Sequence, residues 1–283
     1  MNQKSRHEMG LTTHGCVNPA GVQVIEQLLD ESTIKSAVYW HEIDSTNAQA
    51  IDDLGTPLST DEFPRMYLTD NQTSGRGRHG RKWQSSLQNL AFSITFAIPS
   101  SNPPPLLSLS AGVAAARAIE FVCAPIRCRL KWPNDVYIDG GKVAGVLIES
   151  RPHADRFVIG VGVNVGEAPE LQLIADADDN PNPIRPKSIS DSISRSASKF
   201  ELLEAIVSQL VAVITTAQDD VSVLKDYRER CMLSGKPISL SSANGEKVSG
   251  ICEGISESGD LVVGTASGST TFRSGEASEI RPS

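Results

Sequence analysis

Apolar positions along this chain change period several times, and each change marks an element. Residues 22, 24, 25, 28 and 29 are apolar, which predicts a short helix over 22–29. The first 20 residues are polar and mixed, without a period, and are expected to be mobile. Ala37-Val38-Tyr39-Trp40 predicts a strand, and Ser45 or Thr46 then caps a helix through Ala48, Ala50 and Ile51 that stops near Gly55. Met66-Tyr67-Leu68-Thr69 is a second short strand. Residues 90–98 alternate well enough for a buried strand, which Pro103-Pro104-Pro105 ends. The alanine-rich stretch 106–121 has its apolar residues at helical spacing and predicts a core helix.

Short strands follow at 129–132 and 136–138, with a break at Pro133-Asn134-Asp135 between them. Asp139-Gly140-Gly141 predicts a hairpin turn into a partner strand over 142–150, and 157–165 is one more strand. Residues 166–198 are rich in Asp, Asn, Pro and Ser and predict a long loop, of the kind that serves as a lid or stays disordered. Residues 200–214 form an amphipathic helix, and a second helical stretch runs to about 231. After Ser234 the character changes to short alternating strands at 237–240, 248–255, 261–263 and 270–272. The turns between them are Asn244-Gly245, Ser258-Gly259-Asp260 and Ser267-Gly268. The pattern predicts an α+β domain with a small β-barrel appended. The expected boundaries are 1–35 for a partly flexible N-terminal extension, 36–232 for the main domain and 233–283 for the C-terminal one.

A chain of 283 residues with 39% hydrophobic and 21% charged residues can bury a sizeable core, as a soluble enzyme does. No apolar run approaches a membrane span of about 18 residues, and residues 1–16 have no signal-peptide core, so the cytoplasm is expected. The five cysteines are an odd count without Cys-x-x-Cys spacing, which argues for buried or idle thiols over a disulfide framework or a zinc site. The net charge of −8 argues against a general nucleic-acid binder. Against that acidity, Arg76, Arg78, Arg81 and Lys82 concentrate positive charge on one glycine-containing segment.

In Gly75-Arg76-Gly77-Arg78-His79-Gly80-Arg81-Lys82-Trp83 the glycines let the backbone approach a ligand and the arginines supply charge and bidentate forks. Such a loop suits a phosphate or a mixed anhydride. An RGG-like RNA-binding segment, a solvated basic loop and a nuclear-type basic signal are the alternatives. It is neither a Walker A loop nor a dinucleotide fingerprint. In Lys131-Trp132-Pro133-Asn134-Asp135, Asn134 can bond a nucleotide or phosphate oxygen, and Asp135 can hold a metal ion, orient a lysine or accept a proton. An Asx-turn without a ligand fits the same residues. Lys142 follows seven residues after Asp135, across the hairpin, either beside that carboxylate or as a solvated charge. Gly160-Val161-Gly162-Val163-Asn164 places Asn164 at the end of an apolar strand whose glycines imply close packing against the backbone.

Four segments resemble biotin protein ligases in order and spacing: Glu42-Ile43-Asp44-Ser45-Thr46-Asn47, residues 75–83, residues 131–135 with Lys142-Val143-Ala144-Gly145-Val146-Leu147-Ile148-Glu149, and residues 160–164. The resemblance covers residues 38–283. It implies a class II synthetase-like, biotin/lipoate ligase catalytic domain with a mixed sheet and helices, followed by an SH3-like β-barrel. It further implies that Ser45, Thr46, Asn47 and Gln72 contact biotin, and that Gly75, Arg76, Gly77 and Arg78 fold over biotin and its adenylate. Lys142 would reach the biotin carboxylate and the α-phosphate. Arg81, Asn134 and Asn164 would contact ATP, while Trp83 and Gly145 to Leu147 would wall the biotin ring and chain. His79 departs from the family, where arginine is common at this position, and this weakens phosphate contact at neutral pH.

The implied reaction joins biotin and ATP into biotinyl-5′-AMP, with magnesium on the phosphates, and then passes biotin to a lysine of a biotin carboxyl carrier protein. Lys142, Asp135 and Arg78 are its catalytic candidates, and no metal ligand is assigned. A monomer or homodimer is expected, without nucleic acid or membrane. The N-terminal stretch is too short for a winged-helix domain, so a monofunctional ligase is expected. A lipoate or octanoate ligase of the same fold is the alternative.

Overall fold

What joins successive strands decides how they pair. β1 (Leu11–His14), β2 (Ser36–Ile43) and β3 (Arg65–Gln72) are linked through α1 (Pro19–Asp30) and α2 (Thr46–Asp53), and the helical crossovers return the chain in the same direction. These three strands are parallel. From β3 onwards the neighbours are antiparallel: β4 (Leu90–Ala97), then, after α3 (Leu107–Val122), β5 (Arg129–Lys131), β6 (Asp135–Ile138), β7 (Gly141–Ser150) and β8 (Arg156–Val163). Together they make one eight-stranded mixed sheet in the order β1-β2-β3-β4-β8-β7-β6-β5. α4 (Lys199–Thr215) and α5 (Asp220–Arg230) follow. A second, antiparallel sheet closes the chain in the order β12-β11-β10-β9-β13, built from β9 (Pro237–Ser241), β10 (Lys247–Ile255), β11 (Leu261–Thr265), β12 (Gly268–Phe272) and β13 (Glu276–Glu279). The computed structural model describes residues 10–56, 59–97, 106–151, 155–169, 185–193, 197–215, 220–241 and 247–280.

Strand alternation sorts the main sheet into two faces. On β4, Phe92, Ile94 and Phe96 enter the large core. On β8, Phe157, Ile159, Val161 and Val163 do the same, on the face of the sheet that α3 covers at β5 to β7 and α4 at β4. Small residues on α3 (Ala111, Gly112, Ala114, Ala115, Ala118) let that helix lie close to the sheet and to α4. The opposite face carries Ser93 on β4 and Val158, Gly160 and Gly162 on β8. Here Val158 joins Ala50, Leu54 and Tyr67 in a smaller apolar cluster under α2. The second sheet buries Ile238, Leu240, Cys252, Leu261, Val263 and Ala277 in the same continuous core. It is tied to the main unit where Trp132 Nε1 donates to Gly259 O at 3.1 Å and Arg228 donates to Ile255 O at 2.7 Å.

The expected elements are present, with differences at the edges. The stretch read as mobile carries β1 and the start of α1, with Asn18 accepting from Ala20 N as the cap. Leu11, Val22, Ile25, Leu28 and Ile34 belong to the core, so the described part of 1–35 packs against the main sheet. Ser45, rather than Thr46, caps α2. β13 was not anticipated. Part of the long stretch 166–198 runs beside β7, where Lys142 pairs with Pro186. The Pro103–105 run and the Asn244-Gly245 turn lie outside the described residues. Cys16 is exposed, and the other four cysteines are buried free thiols. No described helix is long and apolar enough to cross a membrane.

Candidate functional site

Asp139 and Gly140 both have positive φ, 46° and 77°, which gives β6 and β7 a tight two-residue connection of the type I′ kind. Ile138 pairs with Gly141 and Tyr137 with Lys142, but Val136 pairs with Ala144, leaving Val143 as a bulge in β7. Paired residues share a face, so the bulge sets Lys142 on the side of Asp135 and Gly145. A regular strand would turn Lys142 with Ala144 into the core. As built, Lys142 Nζ meets Asp135 Oδ1 at 2.6 Å, each side chain about one-fifth exposed (19% and 18%). The ammonium also lies 5.6 Å from the centre of the Trp83 ring.

The glycines of this face are its floor. A Cβ on Gly160 would collide with the Asn47 carboxamide, and one on Gly162 with the Trp83 indole. On Gly145 it would meet Lys142 Nζ at 3.2 Å and Trp83 at 3.3 Å. Thr46 donates through N–H and hydroxyl to Gln72 Oε1, at 2.9 and 3.2 Å. Ser93 Oγ lies 2.6 Å from Asn47 Oδ1 and 2.8 Å from Thr46 Oγ1. Asn47 Nδ2 donates to Glu149 Oε2 at 2.8 Å. Ser45 is different: its hydroxyl accepts from Ala48 N at 3.4 Å as a helix cap.

Residues 75–83 fold back on themselves as a narrow finger. Trp83 N donates to Gly75 O and Gly77 N to Arg81 O, both at 2.8 Å, with Arg76 and Lys82 bridged between them. His79 (φ 56°) and Gly80 (φ 73°) make the tip, and His79 adopts a left-handed conformation that is uncommon outside glycine. Gly75 leaves room that Trp83 O and Gln72 Nε2 fill. Between the finger and β7 lies a cavity of about 260 Å³, lined by residues 74–82, Leu147 and Glu149.

Four cations converge here, and three are matched by carboxylates. Arg76 pairs with Glu149 at 2.8 Å, Arg81 with Glu276 at 2.7 Å, and Lys142 with Asp135. Among the described residues Arg78 has only neutral acceptors, Asn134 Oδ1 at 3.5 Å and Gly275 O at 3.4 Å, both long. Burial pushes the Arg78 guanidinium below its usual pKa, while Asp135 opposes the shift. Lys131, paired in register with Asp135, is also lowered by burial.

The two asparagines hold backbone. Asn134 Nδ2 donates to Val146 O, which pins the Pro133-Asn134 turn to β7 and leaves Oδ1 facing Arg78. Asn164 Nδ2 donates to Lys187 O at 3.2 Å and reaches Lys142 O at 3.4 Å, while its buried Oδ1 has no partner among the described residues. Lys142 N–H donates to Arg185 O, and Lys142 O accepts from Lys187 N–H, so residues 185–187 flank the lysine. The candidate residues therefore form one connected set, with Ser45 at its margin. Ser93, Glu149, Gly275 and Glu276 were not anticipated as participants. Ser93 had a signal in the small polar residues at alternate positions of β4; Gly275 and Glu276 had none.

The chain matches the Biotin/lipoate A/B protein ligase family over residues 39–165 and the Biotin protein ligase C terminal domain over residues 233–278. A biotin–[acetyl-CoA-carboxylase] ligase of Paracoccus denitrificans is 31% identical over 233 residues, 78% of this chain and 90% of that one. One from Mycobacterium tuberculosis is 28% identical over 269 residues, 90% of this chain and 96% of that one. A biotin protein ligase from Aquifex aeolicus, solved in complex with biotin and ATP, superposes with a TM-score of 0.71 at 26% identity, covering 88% of this chain and all of that one. With two family domains in the chain's own order and a relative spanned almost end to end, this chain belongs to the biotin protein ligase family.

Proposed function

We propose that this chain joins biotin and ATP into biotinyl-5′-AMP in the groove between residues 75–83 and the glycine floor, then transfers biotin to a lysine of a biotin carboxyl carrier protein. The observation that carries this reading is the convergence of Arg76, Arg78, Arg81 and Lys142 beside that floor. A carboxylate and a polyphosphate repel each other, and the first half-reaction requires them in line. No protein nucleophile is needed. The chain's work is to position two anions and stabilise the charge that grows on the phosphoryl oxygens.

Lys142 is assigned to the biotin carboxylate and the α-phosphate, and Asp135 holds its ammonium in place until the ligand arrives. Arg78, which pairs with no carboxylate among the described residues, is the cation most ready to accept an incoming anion. Asn47, Thr46 and Gln72 are assigned to biotin, with Trp83, Gly145 and Leu147 as its apolar wall. Arg81, Asn134 and Asn164 are assigned to the nucleotide side, and the unpartnered Asn164 Oδ1 supports that placement. The described residues contain no group of three or more His, Cys, Asp or Glu that could hold a metal. Magnesium is therefore assigned to the phosphates of ATP, with Asp135 as the carboxylate at hand. In the second half-reaction the acceptor lysine must be neutral to attack the anhydride, and Asp135 is the candidate to orient it. We place the reaction in the cytoplasm, in a monomer or homodimer without nucleic acid, with β1 to α5 as the catalytic unit and residues 233–283 as the appended one.

Incubation with biotin, ATP, magnesium and a carrier domain, followed by mass spectrometry of the carrier lysine, tests this reading. A biotin adduct is expected. A parallel incubation that yields a lipoyl adduct instead would assign the chain to the lipoate branch.

A further inference from the structure

Glu149 belongs to none of the roles above, yet it stands where the two sides of the groove meet. It lies on β7 two residues beyond Leu147 and four beyond Gly145, so all three face the groove. Its carboxylate is divided. Oε1 accepts from Arg76 of the finger at 2.8 Å, and Oε2 accepts from Asn47 of α2 at 2.8 Å. Asn47 is held on its other side by Ser93 at 2.6 Å and fits against the bare backbone of Gly160. The finger's first arginine is thereby fastened, through one anion, to the start of the helix assigned to biotin. The other nitrogens of Arg76 have no acceptor among the described residues, which leaves part of the fork open toward the groove.

We propose that Glu149 is a positioning residue: it bridges Arg76 and Asn47 and so holds residues 75–83 closed over the groove, retaining the adenylate until the acceptor lysine arrives. This rests on the function proposed above. Glu149 touches no reacting atom. It acts by fixing the finger's base and by presenting the remaining donors of Arg76 to the ligand. Without the bridge the finger would open more often, and the adenylate would escape to water before transfer.

The test uses the full chain as Glu149→Gln, Arg76→Ala and the double variant, with thermal melting to check folding. The first readout needs no ligand. Amide hydrogen exchange over residues 75–83 in the free protein is expected to quicken about fivefold in Glu149→Gln, near the ceiling for an ion pair of this exposure. The second supplies biotin, ATP and magnesium with the carrier domain and measures adenylate released to solution per carrier biotinylated. That ratio is expected to rise about fivefold, with KM for biotin affected more than kcat. Adding Glu149→Gln to Arg76→Ala should raise leakage no further, which a general loss of structure would not produce. Unchanged exchange in Glu149→Gln, or additive leakage in the double variant, would overturn the proposal. A wild-type chain that makes no biotinyl-5′-AMP, while exchange still responds to Glu149→Gln, would overturn the adenylate-retaining role and the function proposed above together; it would leave the closure of the finger standing by itself.

Discussion

Replacing Gly160 by alanine separates a structural argument from ordinary propensity. In most strands a Gly→Ala change stabilises by about 0.5–1 kcal/mol, because glycine loses more freedom on folding. Gly160 has an ordinary strand backbone, so that gain applies here too. The new methyl, however, would collide with the Asn47 carboxamide. Asn47 is buried, at 4% exposure, and is held from two sides, by Ser93 at 2.6 Å and by Glu149 at 2.8 Å. Moving it breaks a neutral hydrogen bond, worth about 1 kcal/mol, and a charged one, worth about 1.5–3 kcal/mol. Set against the propensity gain, the net loss is about 2 kcal/mol. At about 2–4 °C per kcal/mol for a chain of this size class, the melting temperature should fall by about 4–8 °C. Because Asn47 is assigned to biotin, KM for biotin should also rise about tenfold, or about 1.4 kcal/mol. Calorimetry and steady-state pyrophosphate release give the two numbers. An alanine variant that melts at or above the parent temperature with an unchanged KM would refute the reasoning, because the carboxamide would then be neither pinned nor used.

Three further changes test other parts of the groove. Lys142→Ala should reduce pyrophosphate release by about 10²-fold, as expected for loss of one donor to developing oxyanion charge, and a variant with normal release would remove Lys142 from the chemistry. Arg78→Gly should release more free adenylate per transfer than the parent; equal retention in a quenched-flow assay would count against a closing finger. Asn134→Ala removes the donor to Val146 O and should cost about 1–3 kcal/mol in urea unfolding, so an unmoved midpoint would show that the turn holds itself.

The longer strands were legible because burial left a period in them. Phe157 to Val163 alternates large and small residues, and the glycines marked close packing that Asn47 and Trp83 supply. β1 and β13 left no such mark. Leu11-Thr12-Thr13-His14 and Glu276-Ala277-Ser278-Glu279 bury one apolar residue each, and pairing partners distant in sequence decide their conformation. The same limit applies at the site. Lys142 and Asp135 lie seven residues apart across a recognisable turn, so their meeting was within reach of the sequence. Glu149 finds its partners 73 and 102 residues away, and Arg81 meets Glu276 across 195 residues. Those contacts are created by sheet order and by the docking of the second sheet, neither of which leaves a local pattern.

The bulge at Val143 has a consequence for how this gene can change. Val143 is a plain aliphatic residue touching no proposed ligand, and a tally of side-chain chemistry would rank it among the most dispensable. Yet it sets the parity of β7. Regular pairing with Val143 retained would turn Lys142 with Ala144 toward the hydrocarbon interior. An in-frame loss of that single codon would instead leave Lys142, Ala144 and Gly145 in plain alternation, keeping the lysine on the groove side at the cost of one buried side chain. Substitutions at 143 should therefore be tolerated across many aliphatic types, and loss of the residue should cost core packing before it costs the lysine's direction. Parity, more than identity, is what selection would have to guard in that hairpin.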